Sequence, residues 1–248
     1  MRRIAADTVH PFQRLQTMLS ELISATPPGE RLPAEPDLAR QLGVSRATLR
    51  EAMRTFEGQG LIRRRQGVGT FVVSHSHVIE SGLEVLESIE TLSKEIGLDV
   101  SMGDLHIEQI HADPVEASML NVQEGSELLQ VSRVITTEHR PVAFLIDILP
   151  HDFLSPEELN EDFSGSVLDF LLKRGEPGLS HSRADIQAVA APSDIARHLQ
   201  IQRGDVLLQF TAQLFASSGQ VVDYSYSYFL PGYFRFHVVR RVERKDLN

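Results

Sequence analysis

The chain has 248 residues, 42% hydrophobic and 23% charged, with no cysteine and a formal net charge of −10. These values are those of a globular protein with one large or two ordinary domains. They exclude disulfides, thiolate metal sites and cysteine nucleophiles, and no stretch approaches the ~18 apolar residues needed to span a bilayer.

Charge is unevenly divided. Residues 1–73 hold 11 Arg, no Lys and 7 acidic residues, net +4, while the rest of the chain carries −14. Such asymmetry points to a nucleic-acid-binding end on an acidic body. Met1-Arg2-Arg3 is basic but lacks a following apolar core. A secretory signal is therefore not expected, and a cytoplasmic location is.

A first helix is predicted over His10–Ala25, where Phe12, Leu15, Leu19, Leu22 and Ile23 form one apolar stripe. Pro27-Pro28-Gly29 ends it, and Arg31-Leu32 is a short extended piece before Pro33. A second helix begins near Glu35-Pro36-Asp37, faces Leu38, Ala39 and Leu42 inward, and stops at Gly43 in a left-handed conformation. Ser45 suits the N-cap of a third helix, which buries Leu49, Ala52, Met53 and Phe56.

Arg46, Arg50 and Arg54 recur every four residues on another face of that helix. A cation in a first helical turn opposes the helix dipole, and an anionic partner would compensate. A solvated arginine face is the blander alternative. Leu61–Arg65 and Thr70–Val73 then read as paired strands joined through Gln66-Gly67-Val68-Gly69. Alternation places Arg63 and Arg65 on one face. This order is that of a helix-turn-helix with a wing, whose second helix reads a major groove.

These residues resemble the GntR family of bacterial transcription regulators. The resemblance rests on Leu32-Pro33, Leu38-Ala39, Leu42-Gly43-Val44-Ser45-Arg46, Thr48, Leu49-Arg50-Glu51-Ala52 and Gly67-x-Gly69-Thr70-Phe71-Val72. It implies double-stranded DNA as partner, met by Ser45, Arg46, Thr48 and Arg50 from the helix and by Arg65, Gly67 and Gly69 at the wing. An arginine would read guanine, and Ser45 and Thr48 would clamp phosphates. Where the family commonly has Ser-Glu-Arg, this chain has Ala34-Glu35-Pro36. It therefore lacks a side-chain cap and an arginine that often touches DNA.

Ser74-His75-Ser76-His77-Val78 is a polar connector. Its His-x-His pair has no further ligand nearby in sequence, so neither a metal nor another cofactor is expected. Leu83–Ile96 is predicted as one helix. Residues 117–130 and 196–209 then parallel each other, each a short helix, a Gly turn and a strand, with a further strand ending in Leu149-Pro150 or Leu230-Pro231. Two α-β-β units would build a mixed or antiparallel sheet with helices on a face, an α+β domain.

This part resembles the UTRA ligand-sensing domain of histidine-utilisation-repressor-like GntR members, whose fold is similar to chorismate lyase. The resemblance covers residues 80–242. It implies a small-molecule effector pocket between the two units and a homodimer. By analogy Arg133 would hold an anion, and Asp223 would meet hydroxyls or amines. Ser164 and Ser166 precede a helix over Val167–Lys173, as an anion site or as an ordinary cap. Tyr226 and Tyr228 share a strand face with Tyr224 and are candidates for the pocket or the core. Ile135 stands where sugar-phosphate sensors have a second arginine. A carboxylate or a less polar metabolite therefore fits at least as well as a phosphorylated sugar.

The expected organisation is a winged helix-turn-helix over 1–74, a linker over 75–80 and an effector-binding and dimerisation domain over 81–248. The expected function is a one-component regulator, a repressor, dimeric on a two-fold operator. The alternatives are an enzyme using the lyase-like domain and an architectural DNA-binding protein. No nucleophile elbow, nucleotide loop or metal motif supports catalysis.

Overall fold

A computed structural model describes residues 11–58, 60–65, 67–73, 79–95, 99–159, 163 and 165–239. The chain divides into two units, Met1–His77 and Val78–Asn248. Each has its own hydrophobic core.

In the first unit three helices, α1 (Pro11–Ala25), α2 (Glu35–Leu42) and α3 (Arg46–Gly58), precede a two-stranded antiparallel wing, β1 (Ile62–Arg65) and β2 (Gly69–Val72). The predicted stripes meet in one core: Leu15, Leu19 and Ile23 of α1 pack with Leu38, Leu49, Met53 and Phe56. Gly43 ends α2 at φ 67°, its N–H donating back to the Ala39 and Arg40 carbonyls. Ala34 offers α2 no side-chain cap. The Arg31 segment adds to the wing. Arg31 bridges Phe71, and the Leu32 N–H donates to the Thr70 carbonyl at 2.8 Å.

The second unit is built on one six-stranded, fully antiparallel sheet. Its strands are β4 (Val100–His111), β5 (Glu127–Thr137), β6 (Arg140–Pro150), β7 (Leu179–Ala190), β8 (Val206–Ala216) and β9 (Val221–Phe229), in the order β4-β5-β6-β9-β8-β7. Helices α5 (Pro114–Leu120) and α7 (Ser193–His198) connect β4 to β5 and β7 to β8. The repeat is therefore β-α-β-β, one strand longer than the sequence pattern implies, and β6 and β9 meet at its centre. The extra strands escape a periodicity reading because β4 and β7 are sheet edges whose residues are mostly exposed.

Helices lie on both faces of the sheet rather than on one. Ala117 and Leu120 of α5 pack on Leu128, Ile148 and Tyr224, while Val167 and Leu171 of α6 (Val167–Arg174) pack on Leu129, Val131 and Leu149 of the other face. A separate parallel pair joins β3 (Ile79–Gly82) to β10 (Phe234–His237). Ile79 and Glu80, expected in the connector, thus begin a strand, and Ile79 is buried. The helix expected over Leu83–Ile96 is shorter: α4 spans Ile89–Glu95. Ser88 accepts from the Thr91 N–H at 3.0 Å, so its side chain caps a helix start there. Upstream, Leu83, Val85 and Leu86 are exposed.

Candidate functional site

The first unit presents a basic helix and wing. Ser45 Oγ accepts from the Thr48 N–H at 3.1 Å and lies 2.8 Å from Thr48 Oγ1, so the two hydroxyls are held together at the start of α3. Arg46 and Arg50 are exposed on that helix, as are Ser45 and Thr48. Arg50 is restrained: its Nε donates to Glu35 Oε2 at 2.7 Å, while Arg64 Nη2 lies 3.1 Å from Glu35 Oε1. Arg65 stacks over the Phe71 ring, 5.3 Å from its centroid, and remains exposed.

At the wing Gly67 has φ 74°, Gly69 has φ 142°, and Val68 between them is half-exposed. A Cβ on Gly69 would fall 2.3 Å from Arg31 Nε, so glycine there lets Arg31 lie across the strand. All seven residues expected to meet DNA therefore lie on the α3 start or the wing. Sequence reasoning missed Glu35 as the residue that orients Arg50. An acid fifteen positions upstream gives no periodic signal.

The second unit holds a cavity of about 570 Å³ between the sheet, α4, α6 and the strap 83–88. Its floor consists of rows of side chains read across the strands. Arg133, Leu145, Ser227, Phe210 and Ile186 form one row, and Asp147, Ser225, Ala212 and Ala184 form the next. The floor thus crosses both repeats, as the resemblance implies.

Arg133 is on the cavity wall yet only 3% exposed. Its Nη1 donates to Asp147 Oδ2 at 2.5 Å and its Nε lies 3.6 Å from Glu90 Oε1. Ser166 also lines the cavity and is fully buried, with its Oγ accepting from the Asp169 N–H at 3.0 Å as the cap of α6. Asp169 Oδ2 in turn accepts from Ser88 Oγ at 2.7 Å, joining α6 to α4. Ser164 lies outside the described residues, as do His75 and His77 of the connector.

Two expectations need correction. Tyr226 and Tyr228 face away from the cavity. The alternation of β9 is as expected, but the serines take the cavity face and the tyrosines the other. There Tyr224 and Tyr226 share a hydrogen bond at 2.7 Å, and Gln209 Nε2 donates to Tyr228 Oη at 3.1 Å. Burial pushes both the Tyr226 and the Tyr228 phenol upward in pKa.

Asp223 is not on the wall either. It is buried, with Oδ1 accepting from the Ile148 N–H at 3.1 Å. Burial, and then the neighbouring Asp147 charge, hold its carboxyl well above the usual aspartate range. Asp147, Ser225 and Ser227 were not singled out from sequence. The available signal was Asp147 itself, a lone charge inside the otherwise apolar run Pro141–Pro150.

Comparison with known proteins agrees with both units. A family model described as bacterial regulatory proteins, gntR family, matches residues 12–72, and the UTRA domain model matches residues 95–235. The histidine utilization repressor of Pseudomonas aeruginosa is 30% identical over 200 residues, covering 78% of this chain and 76% of that protein. The corresponding repressor of Pseudomonas putida is 28% identical over 202 residues, 79% of each chain. The HTH-type transcriptional repressor NagR of Bacillus subtilis is 26% identical over 201 residues, 81% of each.

Among solved structures, PhnF from Mycobacterium smegmatis superposes with a TM-score of 0.64 at 22% identity, covering 92% of this chain and 100% of that one, which shows the shared fold. Among the described residues no helix is long and apolar enough to cross a membrane. The chain belongs to the GntR family of bacterial regulatory proteins, in the histidine-utilisation-repressor-like branch: a DNA-binding transcriptional regulator with an effector-binding UTRA domain.

Proposed function

We propose that this regulator is a cytoplasmic repressor that binds a two-fold operator as a homodimer. In this reading Arg46 and Arg50 of α3 reach base edges, Ser45 and Thr48 hold phosphates, and Arg65 with the Gly67–Gly69 tip follows the backbone beside them. The observation that carries it is the exposed Arg46–Arg50 pair on the helix after the Gly43 turn, set in the basic end of an acidic chain. The winged unit is taken as residues 1–74, and the effector and dimerisation domain as the unit whose first strand, β3, opens at Ile79.

A small molecule in the 570 Å³ cavity would favour a dimer geometry with mismatched half-site spacing. A useful switch needs a differential affinity of ~1–3 kcal/mol between the two geometries. The cavity is read as a binding site without turnover, and conversion of any bound ligand would count against that.

The test is binding of the full chain to the DNA upstream of its own gene at fixed salt. Arg46→Ala and Arg50→Ala are measured beside it. Saturable, sequence-selective binding that both changes weaken by roughly 10-fold supports the reading. Selective binding indifferent to both arginines would overturn the role given to α3.

A further inference from the structure

The charged end of the cavity is over-supplied with carboxylates. Arg133 supplies one buried cation, and Asp147 and Glu90 both approach it, at 2.5 Å and 3.6 Å. An anion arriving there would find the guanidinium already matched. It would also meet Asp147 on the floor and Glu84 and Glu87 on the strap, against His181 as the other basic residue of the described wall. The start of α6 is no better, because Asp169 places its own carboxylate in the first turn.

Burial adds to the charge count. Glu90 Oε1 and Oε2 and Arg133 Nε are buried without a hydrogen-bond partner. Arg133 itself is 97% buried, being 3% exposed, and lies on the cavity wall. Glu90 Oε1 and Arg133 Nε face each other at 3.6 Å behind the wall, so the carboxylate that this end of the cavity offers is Asp147. Away from it the floor turns small and then apolar, from Ser225 and Ala212 to Phe210, Phe229 and Phe236.

We propose that the effector is a small organic cation, a protonated amine on an apolar body. Its ammonium meets Asp147 at the Arg133 end, with Glu90 behind, and its body lies against Phe210, Phe229 and Phe236. This rests on the effector reading of the cavity. It reverses the anion role that the resemblance gives to Arg133, since that guanidinium is spent on holding Asp147 and Glu90 in place. Ser225 and Ser227 supply hydroxyls to the remaining ammonium protons.

The test is calorimetric titration of the full chain with matched probes. These are phenethylamine, phenethyl alcohol and phenylacetate, then hexylamine, hexanol and hexanoate, with inorganic phosphate alongside. The amines should bind roughly 10-fold tighter than their alcohols, the margin of a charge-assisted over a neutral hydrogen bond. The carboxylates and phosphate should not bind. Asp147→Asn should erase the preference for amines. Ala212→Leu fills the middle of the floor without touching a charge and should block amine binding, so the test stands even if the first variant misfolds.

Alcohols binding as tightly as amines would overturn the cation. Binding of carboxylates or phosphate would overturn it while leaving the effector cavity in place. No binding by any probe would also overturn it, and the operator titration with the two arginine variants would still decide the DNA-binding reading by itself.

Discussion

Glu35 at the start of α2 holds Arg50 of α3, Oε2 accepting from Nε at 2.7 Å, and its other oxygen lies 3.1 Å from Arg64 of β1. One carboxylate therefore sets the direction of an arginine on α3 and of another on the wing strand. Both pairs are partly exposed, so they contribute little to stability. Their effect is on geometry: a pre-set guanidinium loses less freedom when it docks on a base.

Glu35→Gln should separate affinity from specificity. Removing one negative charge strengthens non-specific attraction to phosphates. Releasing Arg50 weakens discrimination, so the ratio of operator to scrambled-duplex affinity should fall on the order of 5-fold, within the range of one lost base contact. Fluorescence anisotropy on both duplexes at one salt concentration reads the two effects separately. An unchanged ratio would show that Glu35 does not orient Arg50 for readout.

Gly43 and Gly69 both have positive φ, yet their surroundings differ. A Cβ on Gly43 would have no neighbour within 4 Å, whereas one on Gly69 would collide with Arg31 Nε at 2.3 Å. Gly43→Ala should cost ~1–2 kcal/mol, the left-handed penalty alone. Gly69→Ala adds displacement of Arg31 from the wing. Of the two, only Gly69→Ala should lower DNA affinity more than its loss of stability explains. Denaturant titration paired with DNA binding checks this, and equal DNA affinity in the two variants would refute it.

How much of this was legible follows from which interactions are local. The first unit was readable because its helices carry their own stops and caps, Gly43 and Ser45 among them, and one apolar stripe each. In the second unit the repeat around Gly125 and Gly204 was readable for the same reason. The edge strands β4 and β7 were not, since exposed edges carry no burial period. Which face of β9 meets the cavity stayed open, because alternation gives the period of a strand but not which side holds the core. Tyr224, Tyr226 and Tyr228 pack on the α5 and α7 side, and that choice is fixed only by the long-range pairing of β6 with β9. The Arg133–Glu90–Asp147 cluster joins the β5–β6 hairpin to α4 far upstream and left no local pattern.

Ser88 ties two walls of the cavity together. It caps α4 through the Thr91 N–H and donates to Asp169 of α6. Ser88→Ala removes both bonds and leaves Asp169 with the weaker Thr91 hydroxyl contact at 3.5 Å. The cost should be about 1–2 kcal/mol in the second unit. The strap 83–88 should also loosen. Hydrogen–deuterium exchange over 83–95 should rise several-fold in the variant, while exchange in β5 and β6 stays as in the parent. Uniform acceleration across the sheet would mean that Ser88 matters only to global stability.

Asp223 gives the second unit a pH dependence whose sign can be worked out. Burial, then the charge of Asp147, raise its folded pKa well above the unfolded value. Stability is therefore fully present below the unfolded aspartate range and declines as pH rises through the folded value. Asp223→Asn keeps a carbonyl oxygen for the Ile148 N–H bond and removes the titration. The variant should melt with a flatter pH profile above the ordinary aspartate range and be at least as stable as the parent at the upper end. Parallel melting profiles for the two proteins would show that Asp223 does not change its protonation between the folded and unfolded states.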